Sequence, residues 1–152
     1  MEVLNVNQLS EISVSYKPKH FLADIKINRS EDGYRAVKQF FDDGTMYLQE
    51  QFIVLYLNTG NKLLGGYKLS SGGITGTVVD IRLLLSVALK IAATGMIISH
   101  NHPSGYLNPS KQDEELTQKI KAAAAYMDIR LLDHLILSPE GTYLSFADEG
   151  LL

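Results

Sequence analysis

MIISHNHPSGYLNPSKQD, residues 96–113, changes character twice along its length. Met96 to Ser99 is a short apolar run of strand type, and His100 to Pro109 is polar and carries Pro103, Gly105 and Pro109. Ser110 then opens a segment with Leu116, Ile120, Ala123, Ala124 and Met127 on one helical face and Asp113, Glu114 and Glu115 crowding its first turn. The reading is strand, loop, helix, with carboxylates answering the helix dipole. Upstream, Leu84, Val87, Ala88 and Ile91 recur at helical spacing within Asp80 to Ala93, and Gly95 is expected as the left-handed C′ residue. Downstream, Arg130 to Leu137 reads as a strand, Ser138-Pro139-Glu140-Gly141 as a turn, and Thr142 to Phe146 as the returning strand.

Further out, Gln51 to Leu57 (QFIVLYL) is rich in β-branched and aromatic residues. Asn58 to Asn61 turns the chain, and Lys62 to Leu69 can return as a hairpin partner. Gly65-Gly66 and Gly72-Gly73 read as turns or a substrate-edge loop, since neither sits in a phosphate-binding pattern. Ser30 reads as an N-cap for a helix reaching about Phe41, with Glu31 and Asp32 in its first turn. Residues 11–27 hold short β-like stretches. Strands and helices therefore mix as α/β, with antiparallel hairpins and room for a parallel crossover.

The chain has 152 residues, 45% of them hydrophobic, enough for one core. No repeat or low-complexity linker divides it, so it reads as a single domain, with residues 1–29 as an extension packed on a unit spanning 30–152. Fourteen Lys and Arg against seventeen Asp and Glu give a net charge of −3, unlike the basic footprint of a dedicated nucleic-acid binder. Cysteine is absent, which excludes disulfides, thiolate zinc sites, iron–sulfur clusters and thiol nucleophiles. Metal chemistry must then use His, Asp and Glu. The N-terminus lacks the pattern of a secretory signal, and the apolar stretch Leu83 to Ser99 is broken by Lys90 and Gly95. A cytoplasmic protein with no membrane contact is the expectation.

Singly, the polar residues of the opening stretch have ordinary readings. An H-x-H pair arises by chance, Asp113 suits a helix N-terminus, and Ser110 suits an N-cap. Together they form His100-x-His102, seven residues, Ser110-x-x-Asp113, between an apolar strand and an amphipathic helix. In extended geometry His100 and His102 project to one side, about 7 Å apart at Cα. Asp113 can be folded back over the strand end as a third ligand, and three such ligands with an open water position describe a catalytic zinc site.

At these residues the chain resembles the JAMM (MPN+) metallopeptidase motif, an upstream Glu followed by H-x-H-x7-S-x2-D. More narrowly it resembles the RadC-like JAB domain, through HNHPSG at 100–105, PSxxD at 109–113, LLDH at 131–134 and SFADEG at 145–150. The resemblance implies a cytidine-deaminase-like, JAB/MPN fold with a mixed central sheet flanked by helices. It also implies Zn2+ held by His100, His102 and Asp113, with Ser110 stabilising the oxyanion and a Glu handling the proton of the activated water. Glu50, in the context Glu50-Gln51-Phe52, is the candidate for that Glu.

The implied activity is zinc-dependent hydrolysis of an amide or isopeptide bond in a protein or peptide. The alternatives are a non-catalytic MPN-type interaction module and a DNA-repair-associated accessory protein. Where family chains carry a His-Pro-Arg-Glu type segment, this one has Asp80-Ile81-Arg82-Leu83. Longer members also carry a helix-hairpin-helix-like region, so a short, stand-alone catalytic form is expected here. His134 is expected to support the site rather than ligate, since three ligands are complete without it, and His20 is expected at the surface.

Overall fold

The computed structural model describes Ser13 and residues 15–17, 24–72 and 78–152. Its element order is α1 (Ser30–Lys38), β1 (Gln51–Leu57), β2 (Leu63–Ser71), α2 (Ile81–Lys90), β3 (Gly95–Asn101), α3 (Lys111–Ala125), β4 (Arg130–Leu137) and β5 (Tyr143–Ser145). The five strands form one mixed sheet in the order β2-β1-β3-β4-β5. β1 runs antiparallel to both β2 and β3, β3 runs parallel to β4, and β5 returns antiparallel on β4. The parallel pair needs a crossover, and α3 supplies it. This is the α/β, JAB/MPN-type arrangement, a mixed sheet flanked by helices.

Both faces of the sheet are covered, which explains why β1 and β3 are buried along their whole length. On one face Ala36 and Val37 of α1 pack with Ile53, Leu55, Leu57, Ile97, Leu135 and Leu137. On the other, Leu84 and Ala88 of α2 and Ile120 and Ala124 of α3 pack with Phe52, Val54, Tyr56, Met96 and Ile98. Strand alternation thus sends even-numbered residues of β1 and β3 towards α2 and α3. Among the described residues no helix is long and apolar enough to cross a membrane.

Several local expectations shift. Arg29, not Ser30, is the N-cap of α1, because the Asp32 carboxylate accepts from Asn28 N and Arg29 N at 3.0 and 3.2 Å. The Ser30 hydroxyl instead meets the Tyr143 hydroxyl at 3.2 Å. The helix ends at Lys38.

Ala92, at φ 53°, takes the left-handed position after α2, and Ala93 N closes the cap on Ala88 O at 2.9 Å. Gly95 is therefore free to begin β3. Gly65 and Gly66 lie inside β2 rather than in a turn, and the Phe40 ring lies where a Cβ on Gly66 would be, 2.5 Å from Cζ. His20, Gly73 and most of the β-like stretches of residues 11–27 lie outside the described residues. Ile25 and Ile27 pair by backbone with Leu63 and Asn61.

Candidate metal centre

β3 extends past its apolar run and includes His100 and Asn101. His102 leaves the strand but still donates its N–H to Leu137 O at 2.9 Å, so the extended path continues one step further. His100 and His102 consequently face the α3 side together. Ser110 is the N-cap of α3, and Asp113 is its third residue. The Ser110 hydroxyl accepts from Asp113 N at 3.1 Å, and Asp113 Oδ2 accepts from Ser110 N at 2.7 Å. This capping box aims the carboxylate back at the strand end.

The three predicted ligands meet. His100 Nε2 lies 2.9 Å from His102 Nε2 and 3.2 Å from Asp113 Oδ1, and His102 Nε2 lies 3.4 Å from Asp113 Oδ2. Donors about 2.0–2.1 Å from a tetrahedral ion stand about 3.3 Å from one another, close to these separations, so the cluster has the size that one small cation needs. His102 Nδ1 donates to the Tyr106 carbonyl at 2.6 Å, and a carbonyl only accepts, so neutral His102 presents its lone pair at Nε2. Together the three side chains form a cluster that can hold a metal ion.

The electrostatics agree. Burial pushes the Asp113 carboxyl up, but His100 and His102, which set N–H groups and positive charge against it when they are protonated, together with the Ser110 N–H, outweigh burial and hold it far below the usual carboxylate range. Burial pushes His102 down, yet the Asp113 carboxylate, the Tyr106 carbonyl and the charge of Glu50 together raise it.

Glu50 acts on His102 because of register. Phe52 pairs with His100, and Gln51 N donates to Asn101 Oδ1 at 2.7 Å, so one further step of the same register leads to Glu50 and His102, on the Phe52 side of the sheet. Glu50 is half-buried.

Two residues that sequence reasoning passed over tie down the loop that leads into Glu50. Asn101, the middle residue of H-x-H, is fully buried and points to the opposite face, where its Nδ2 donates to Met46 O and Gln49 O, both at 2.9 Å. Gln51 donates to Asp42 O and Thr45 Oγ1 and accepts from Asp42 N. The loop before Glu50 is thereby tied to the ligand strand. A polar Gln heading an otherwise apolar strand, and a polar residue enclosed between two histidines, were the available signals.

Behind His100 the site is closed by β4, α3 and the C-terminal turn. His134 is fully buried, its Nε2 2.8 Å from His100 Nδ1 and its Nδ1 2.6 Å from Thr117 Oγ1. Burial, with the nearby His100 charge, pushes His134 well down despite the opposing Asp113. Phe146 stacks on its ring at 4.5 Å, and Asp133 holds the turn by accepting from Ser145 Oγ and Ala147 N at 2.6 and 3.0 Å. Both ring nitrogens of His134 are thus engaged, and it stands behind His100 rather than among the three converging side chains. Arg82 lies on the surface with its side chain almost fully exposed.

Comparison with known proteins agrees with this arrangement. The RadC-like JAB domain profile matches residues 27–151. The UPF0758 protein of Flavobacterium johnsoniae is 45% identical over 126 residues, covering 83% of this chain and 53% of the relative. That of Porphyromonas gingivalis is 44% identical over 126 residues, covering 83% and 54%. That of Aquifex aeolicus is 36% identical over 152 residues, covering 100% and 63%. The chain thus spans about half to two-thirds of the length of these relatives. It belongs to the RadC-like JAB domain family.

Proposed function

We propose that this domain is a zinc-dependent hydrolase of amide or isopeptide bonds in a protein or peptide substrate. The observation that carries the reading is the convergence of His100 Nε2, His102 Nε2 and the Asp113 carboxylate within 2.9–3.4 Å, with Glu50 beside them on the same face. Two imidazoles and one carboxylate, with no thiolate, suit zinc in its open catalytic form. When bound there, the ion supplies Lewis acidity, which polarises a carbonyl and brings the pKa of water towards about 7.

The protein's own groups complete the chemistry. Glu50 takes the proton of the attacking water as its oxygen bonds to the carbonyl carbon, then delivers that proton to the nitrogen as the C–N bond breaks. Ser110 uses its oxygen to cap α3, which leaves its O–H hydrogen free to donate to the developing oxyanion. Asn101 and Gln51 fix the base relative to the ligands.

The test compares wild type and Glu50→Gln on peptide, isopeptide and DNA panels. Amide cleavage lost in the variant supports the reading. Zinc-loaded inactivity on every panel favours a non-catalytic interaction module instead, and strand cleavage favours a nucleic-acid accessory role.

A further inference from the structure

His100 and His134 face each other through ring nitrogens 2.8 Å apart, and either nitrogen could carry the hydrogen. Thr117 decides between them. Its Oγ1 lies 2.6 Å from the Asp113 carbonyl oxygen, which can only accept, so the single hydroxyl hydrogen points there. The same Oγ1 lies 2.6 Å from His134 Nδ1, and with its hydrogen committed it must accept. His134 therefore carries its hydrogen on Nδ1 and a lone pair on Nε2. His100 Nδ1 must donate to that lone pair, which leaves His100 Nε2 bare and facing His102 and Asp113.

We infer that Thr117 and His134 form a tautomer-setting relay that keeps the His100 Nε2 lone pair directed at the metal position. They are positioning residues, acting through His100. Everything around the relay holds it still. Thr117 and His134 are fully buried, Phe146 stacks on one side of the His134 ring, and Asp133 Oδ1 accepts from His134 N at 2.7 Å.

The relay begins and ends on the same pair of ligands, since Asp113 supplies the terminal carbonyl and His100 receives the result. His102 is set separately by the Tyr106 carbonyl. With both imidazoles so fixed, three acceptors converge with no N–H among them, an arrangement that only a proton or a cation relieves. The metal part of this inference rests on the zinc reading above, while the tautomer assignment does not.

Long-range 1H–15N spectra of histidine-labelled, metal-free protein at pH 8 read the tautomers directly. His100 and His134 are both expected with hydrogen on Nδ1. Zinc competition against a chromophoric chelator is then run on wild type, Thr117→Val and Thr117→Ser. The valine is nearly isosteric but cannot accept from His134, and a loss of about 10–100-fold in zinc affinity is expected, the range for an outer-shell partner. The serine restores the hydroxyl and should bind zinc as wild type does.

A His100 carrying its hydrogen on Nε2 in wild type overturns the relay. So does a folded Thr117→Val that matches Thr117→Ser in zinc affinity. If Thr117→Val does not fold, the wild-type spectrum still decides. His100 found with hydrogen on Nδ1 in a protein that takes up no zinc upholds the relay and overturns the zinc reading alone.

Discussion

Ser110 and Asp113 hold one another across a single helical turn, each side chain accepting from the other's backbone N–H, at 3.1 and 2.7 Å. The cap of α3 and the carboxylate of the candidate metal cluster are thus one structure. The backbone of α3 orients the carboxylate that points at His100 and His102.

Ser110→Ala removes one half of that box. Loss of such a cap costs about 0.5–2 kcal/mol, which for a chain of this size lowers Tm by roughly 2–6 °C. Thermal denaturation of wild type, Ser110→Ala and Ser110→Thr checks this, with the threonine expected to retain most of the stability. An alanine variant as stable as wild type would contradict the capping role.

Purified protein is expected to carry about one zinc per chain, lost in a His100→Ala, His102→Ala double variant. Metal analysis by plasma emission reads both. Glu50→Gln should keep its zinc and lose about 10²–10⁴-fold in turnover of any cleaved substrate, the usual contribution of a general base. Zinc lost with Glu50 would make Glu50 a ligand rather than a base.

Asn101→Ala strands Gln51 N, Met46 O and Gln49 O. Each buried group left unpaired costs about 1–3 kcal/mol, so a clear fall in Tm is expected. Because Asn101 faces away from the ligands, the variant should bind zinc nearly as wild type while losing activity with its loosened base. Chelator competition beside a kcat measurement separates the two effects.

His102 makes the metal-free protein sensitive to pH. Its pKa is raised above the ordinary 6.5, with Asp113 the foremost of the groups that outweigh burial. The folded state therefore binds the proton more tightly than the unfolded chain. The stability so gained is fully present below pH 6.5 and is lost as pH rises through the raised value. The Tm difference between metal-free wild type and His102→Ala should shrink from pH 6 to pH 9. A difference that grows over that range would reverse the sign and contradict the assignment.

Local pattern carried much of the fold and most of the centre. QFIVLYL, MIIS and RLLDHLIL are strands because runs of β-branched and apolar residues suit a sheet covered on both faces. H-x-H at a strand end and Ser-x-x-Asp at a helix start keep their meaning in any fold, since two-residue alternation and the capping box are local. The three side chains that converge were legible for that reason.

What required the tertiary structure is register. Glu50 stands beside His102 because Phe52 pairs with His100 across strands separated by a hairpin and a helix, and no local periodicity encodes that pairing. His134 reaches His100 through a shift in the β3–β4 ladder, where Met96 pairs with Leu131 but Ile97 with Asp133. Strict alternation would put Leu131 and Leu135 on one face; the extra residue sends them to opposite cores and turns His134 towards the ligands. The sequence by itself determined which atoms can bind a metal. Long-range pairing decided which carboxylate and which further histidine come near them, because a one-residue slip in a strand moves every side chain to the other face.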